Sequence, residues 1–203
     1  CKEFAVGRSK FARVCVGEDD ALFYPRTVER DDNSLLVFFY GTFSPLQGVS
    51  HIIRAAKLLE KDRKIRFEII GSGTTFNETK MLSARLGTAN VAFISPGVDY
   101  EELPRYIANA DVCLGIFGDT DKAKRVIPHK VYDALAMAKP IVTRESHAVR
   151  EVLEHEKNCI LVPAASPQAI ADAILSLMED EKLRMRISRN GYELFKDKFT
   201  PKA

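Results

Sequence analysis

The sequence predicts a doubly wound α/β fold, a parallel sheet with helices on both faces. Two observations carry that prediction. From Ser34 onward, apolar runs of strand length alternate about six times with amphipathic helical patterns. The first of these runs, Leu35 to Tyr40, is continuously apolar instead of alternating, as in strands covered on both faces.

Leu35 to Tyr40 ends in Gly41 and opens the alternation. A helix follows, in which Val49, Ile52, Ile53, Ala56 and Leu59 recur at steps of three and four, with Arg54, Lys57 and Glu60 between them. Ile65 to Ile70 is a second strand, closed by Gly71-Ser72-Gly73, then a helix over Glu78 to Leu86 and a strand over Asn90 to Ile94. Asp99 to Ala108 reads as a helix weakened by Pro104, and Val112 to Ile116 as a strand. His129 to Ala138 is a short helix with Val131, Ala134, Leu135 and Ala138 on its apolar stripe. Pro140 opens a strand through Thr143, Ala148 to Glu154 is helical, and Cys159 to Val162 is a strand. Ser166 is an N-cap with Pro167 at the first helical position, and Ile170, Ile174 and Leu177 share one face. Leu183 to Lys196 is a last helix. Residues 34–197 are thus one domain, residues 198–203 a tail, and residues 1–33, with a short strand at Ala12 to Val16, a linker or the end of a preceding domain. The chain begins at Cys1, not Met, and reads as a piece of something longer.

Composition narrows the function. The 203 residues are 46% hydrophobic and 29% charged, enough to bury a core. Thirty basic against 28 acidic side chains leave a net charge of +2, which argues against a nucleic-acid binder. No apolar run reaches the ~18 residues of a membrane span, and no secretory leader opens the chain. Cys15, Cys113 and Cys159 sit in short apolar runs, and no C-x-x-C or zinc-type histidine pattern occurs, so the reading is reduced thiols in a cytoplasmic compartment without a metal.

Open parallel sheets bind ligands beyond the C-terminal ends of their strands, where strand order reverses. The loops there are Tyr40-Gly41-Thr42, Gly71-Ser72-Gly73, Ser95-Pro96-Gly97 and the stretch from Gly118 to Lys130. Gly71-Ser72-Gly73 lacks the third glycine of a dinucleotide fingerprint, Phe76 standing in its place, and no loop carries the G-K-[ST] of a P-loop. It reads equally well as a tight strand-to-helix turn. Lys122, Lys124, Arg125 and Lys130 gather at the start of the helix near Pro128, where unpaired N–H groups and the helix dipole favour a diphosphate. The same run also reads as a solvated basic loop. Asp133, one turn on, can accept two hydroxyl hydrogen bonds, which suits a ribose. Asp119-Thr120-Asp121 has the spelling of a D-x-D metal clamp but reads as a surface turn beside lysines.

The run from Ile127 to Val142 (IPHKVYDALAMAKPIV) resembles the donor-site helix of glycosyltransferase family 4, retaining enzymes of the two-domain GT-B fold. The likeness continues through Ala148 to Val152, Asn158 to Pro163 and Ser166 to Ile170, and upstream through Tyr40 to Gly48 and Ile69 to Gly73. Gly17 to Pro25 resembles the segment crossing from the acceptor domain into the donor domain. The resemblance implies a Rossmann-like C-terminal half that binds a nucleotide diphosphate sugar, a UDP-sugar before a GDP-sugar, without metal. It implies that Gly41 and Thr42 approach the diphosphate or sugar, that Gly71 and Gly73 give the nucleotide backbone access, and that Ile94, Pro96 and Gly97 hold the base. Lys130 and the helix start would neutralise the diphosphate and Asp133 would bind the ribose, making Lys130, Arg125 and Asp133 the candidate catalytic set. The family's first glutamate is Arg125 here, its second Asp133, and its first-loop basic pair reads Thr42 and Gln47; Lys124, Arg125 and Lys130 would supply the missing charge. Implied partners are an N-terminal acceptor domain and a lipid-linked or polysaccharide acceptor at the inner membrane face. The half alone would bind donor weakly and not turn over. The alternatives are an epimerase of the same architecture and a non-catalytic nucleotide-binding module.

Overall fold

The computed structural model describes residues 17–28, 30, 33–62 and 64–201. Its elements are β1 (Leu35–Tyr40), α1 (Val49–Leu58), β2 (Ile65–Ile70), α2 (Phe76–Leu86), β3 (Val91–Ile94), a 3-10 turn (Tyr100–Glu102), α3 (Leu103–Asn109), β4 (Val112–Leu114), α4 (His129–Ala136), β5 (Ile141–Arg144), α5 (His147–Arg150), β6 (Ile160–Val162), α6 (Pro167–Glu179) and α7 (Glu181–Lys198). The six strands form one parallel sheet in the order β3-β2-β1-β4-β5-β6. Strand order reverses between β1 and β4, which pair through Val37 with Val112 and Phe38 with Cys113. That reversal is where such sheets open a crevice.

The continuous apolar run of β1 serves two cores at once. Leu35, Val37 and Phe39 enter the layer built by α1, α2 and α6, while Phe38 and Tyr40 enter the one built by α3, α4, α5 and α7. Successive side chains of a strand point to opposite faces, so a strand sandwiched between helices needs apolar residues at every position. In the first layer α1 packs on α2 and α6, and in the second α4 packs on α7.

Element boundaries differ from the sequence expectation for local reasons. The helix expected over Asp99 to Ala108 divides into a 3-10 turn and α3, with Pro104 inside the first turn of α3, where its missing N–H costs nothing. Helix α4 stops at Ala136, short of Ala138, because Ala138 takes a left-handed φ of 51° and Lys139 N–H bonds back to Ala134 at 2.8 Å. Ser146 caps α5 through Val149 N–H, which starts that helix a residue early, and it ends at Arg150. The strand expected at Ala12 to Val16 lies outside the described residues. Upstream of β1, Glu18 and Phe23 are buried: Glu18 N–H bonds to Phe199 O at 3.1 Å, and the Phe23 ring lies 5.3 Å from that of Tyr100. Cys113 and Cys159 are free, buried thiols, pushed up to about 12 by burial.

Candidate functional site

Pro128, extended at φ −70° and ψ 147°, caps α4 and places Lys130 in its first turn beside the end of β1. The Lys130 side chain runs inward. Its Nζ donates to Gln47 Oε1 at 2.6 Å and sits 3.8 Å from the centre of the Phe39 ring and 5.5 Å from that of Tyr40. The residue is 6% exposed, and burial pulls its ammonium well below the usual lysine range. No carboxylate pairs with it among the described residues; its contacts are a neutral amide and two ring faces. A buried cation compensated only by neutral groups is an unmet demand for an anion.

The glycines of the first two loops make room for this arrangement. Gly41 has φ 138°, and a Cβ there would lie 2.9 Å from Lys130 Nζ. Gly71 has φ 134°, and a Cβ there would lie 2.1 Å from Gly41 O, so the two loops interlock through backbone alone. Gly73 is pressed on Phe43 O in the same way, at 2.4 Å. These glycines are therefore demanded by loop-on-loop packing as well as by any ligand above them. Thr42 is exposed beside Gly41. In the next loop Ile94 O accepts from Gly71 N–H at 2.9 Å, the Ser95–Pro96 bond is cis, and Gly97 has φ 151°.

Asp133 is 2% exposed and lies in a cluster with His129 and Glu18. His129 Nδ1 lies 3.1 Å from Asp133 Oδ1 and 2.7 Å from Glu18 Oε2, the latter out of line for a hydrogen bond. Glu18 Oε1 accepts from Tyr100 O–H at 2.6 Å and from Asp19 N–H at 3.0 Å. Burial, together with the bond and charge of Glu18, pushes Asp133 up to about 10, so at neutral pH it keeps its proton. Burial also acts upward on Glu18, yet its bonds with Asp133, Tyr100 and Asp19 and the nearby His129 hold it below the usual carboxylate range. The ligand atoms of Glu18, His129 and Asp133 lie within 4.8 Å of one another, a span that a divalent cation could bridge; the proton kept by Asp133 meets part of the same electrostatic need.

The rest of the basic run lies apart. Lys124 Nζ is 3.2 Å from Asp121 Oδ1 and 3.9 Å from Asp119 Oδ1, and Arg125 Nε donates to Asp121 O at 3.1 Å. The structure therefore brings together Gly41, Gln47 and Lys130, sets Asp133 in an adjoining acid cluster, and leaves Lys124 and Arg125 on a self-paired exposed turn. Glu18, Tyr100 and His129 were not picked out by sequence reasoning. Gly17 to Pro25 drew notice only as a crossing segment, and nothing local marks Tyr100 as the partner of a residue 82 positions away.

Residues 22–194 match the family described as Glycosyl transferases group 1. The chain belongs to this family. Among curated relatives it is 27% identical over 191 residues to an MMP α-(1→4)-mannosyltransferase of Mycolicibacterium hassiacum, covering 93% of this chain and 44% of that protein. The group 1 chain therefore spans less than half the length of that relative. Its fold is that of the C-terminal domain of a glycosyl transferase group 1 protein from Francisella tularensis, with a TM-score of 0.76, 23% identity and coverage of 91% of this chain and 100% of that one. A structure of Anabaena HepE in complex with UDP and glucose is also similar, with a TM-score of 0.77, 19% identity and coverage of 91% of this chain and 51% of that one. No helix among the described residues of the group 1 chain is long and apolar enough to cross a membrane.

Proposed function

We propose that this chain is the donor-binding half of a family 4 retaining glycosyltransferase, and that it binds a nucleotide diphosphate sugar at the β1/β4 reversal. The observation that carries this reading is Lys130, a buried ammonium with neutral partners at the start of α4. The diphosphate lies against Lys130, Gly41, Thr42 and the first N–H groups of α4, with Gln47 holding the ammonium in place. Negative charge grows on the diphosphate as the glycosidic bond breaks, and a preorganised, desolvated cation stabilises that charge most where it is greatest. A helix start and a lysine supply the neutralisation without a metal.

Asp133, buried beside His129 and Glu18, is the candidate for the ribose hydroxyls, Gly71 and Gly73 bring backbone close to the nucleoside, and Ile94, Pro96 and Gly97 border the base, uridine before guanosine. The UDP and glucose held by HepE, a protein of similar fold, support that order. Lys124 and Arg125 add positive charge to the field around the donor. The acceptor, a lipid-linked or polysaccharide chain of the cell envelope, is held by a second, N-terminal domain, in keeping with relatives of roughly twice this length. The whole protein works in the cytoplasm at the inner membrane face, and this half alone binds donor without turning it over.

The test is a titration of the chain with UDP, GDP and uridine in chelator. A nucleoside diphosphate at a hundred times its dissociation constant should stabilise the fold by about 2.7 kcal/mol. Lys130→Met should weaken the diphosphate by about ten- to a hundredfold and leave uridine unchanged. Absence of any response to either diphosphate at millimolar concentration would refute the assignment.

A further inference from the structure

A cavity of about 700 Å³ is lined by neither Lys130 nor Asp133. It opens between α1 and α2, against Ser44, Pro45 and Gly48, whereas Lys130 meets Gly41 and Gln47 of the same loop. Arg54 of α1 and Arg85 of α2 both line it, and among the described residues neither has an ion-pair or hydrogen-bond partner. His51, one turn before Arg54, lines it too; its Nδ1 is buried without a hydrogen-bond partner. Burial first, and the Arg54 charge second, hold the His51 imidazole below the ordinary histidine range. Cationic groups crowded on one cavity without acids to answer them are the electrostatic signature of a site for an anion.

The acids nearby do not fill that role. Asp119 borders the cavity but is already engaged, 3.6 Å from Arg144 and 3.9 Å from Lys124. Glu78 also lines it and stays unpaired with either arginine, leaving an acceptor for hydroxyl groups beside donors for a phosphate. Two guanidinium groups offer paired donors that match phosphate oxygens, and the double charge of a phosphate monoester answers both of them. The volume exceeds what a bare anion needs.

We propose that the α1/α2 cavity is a second ligand site, separate from the Lys130 pocket, that binds the phosphate monoester of a small polyhydroxyl compound. Arg54 and Arg85 grip the phosphate, His51 Nδ1 turns to the same group, and Glu78 receives ligand hydroxyls.

The experiment titrates the chain with glucose 6-phosphate, glucose and inorganic phosphate, with and without saturating UDP, while the His51 ring is followed by NMR. Glucose 6-phosphate should bind equally with UDP present or absent, and glucose should not bind. Arg54→Ala and Arg85→Ala should each weaken the ester about tenfold, with unchanged melting temperature and an unchanged UDP response. Lys130→Met should leave the ester untouched. The His51 titration should move to higher pH in the ester complex, because an adjacent anion favours the imidazolium. Displacement of the ester by UDP, undiminished binding by both arginine variants, or no binding of any probe at millimolar concentration overturns the proposal. Inorganic phosphate binding as tightly as the ester overturns the polyhydroxyl half of it. A lost UDP response with an intact ester response would strike the donor-site reading and leave this site standing.

Discussion

Lys130 is buried over the Phe39 ring and bonded to Gln47, whereas Lys124, in the same basic run, keeps half its side chain in solvent beside Asp121 and Asp119. Solvent and salt screen the second cation, and its neighbours already answer its charge. The first has no acid to answer it, and little water screens it. A lysine's count in a basic cluster therefore says little about its use; its desolvation says much. The same contrast separates the acids, for Asp119 and Asp121 face cations at the surface while Asp133 is buried and keeps its proton.

The root of the exposed turn offers the sharpest way to break this contrast. Arg144, 5% exposed, donates to Gly118 O at 2.6 Å and to Glu145 O at 3.1 Å, and lies 3.6 Å from Asp119. Arg144→Ala should cost about 2–4 kcal/mol in urea unfolding, because it orphans a buried carbonyl and loses packing. A cost under about 0.5 kcal/mol would show that the turn is not pinned from beneath.

Asp133→Asn tests the buried pole through pH. Between the usual Asp value of 3.8 and the native value of about 10, the folded chain holds a proton that the unfolded chain has lost. Stability from this group is thus full below the unfolded value and drains away as pH rises towards the native one. Lys130 acts oppositely, since a depressed ammonium makes stability rise with pH below its unfolded value of 10.5, so the wild type and variant must be compared as a difference. Melting curves from pH 6 to 9 should show the wild type losing up to about 1.4 kcal/mol per pH unit relative to Asp133→Asn. Parallel profiles would mean that Asp133 is ionised in the fold.

The smallest effects belong to the surface. Lys124→Ala and Arg125→Ala should each change stability by no more than about 0.5 kcal/mol and nucleoside diphosphate affinity by no more than about threefold. A loss as large as that of Lys130→Met would erase the distinction between the two lysines.

Much of the fold was readable because it rests on short-range periodicity. The β1 run and the helical stripe of α1 each state which faces are covered, and two covered faces with alternating elements imply a parallel sheet. Chain ends of elements were less readable, since Ala138 and Ser146 set them through backbone angle and capping geometry. In the site, the glycines and Lys130 were visible as types at strand ends and a helix start. That Gly71 packs on Gly41 O, and that Gln47 holds Lys130, was not.

The order of apolar and polar residues along the chain was enough for the class of fold, the positions of the loops that face the crevice and the concentration of basic residues at one helix start. Only the packed chain could say which of those bases loses its water, and that Glu18 and Tyr100 close on Asp133 and His129. The reason is physical: periodicity is a property of neighbours in sequence, whereas desolvation and the protonation of a buried acid depend on groups that the sheet crossing brings together from far apart.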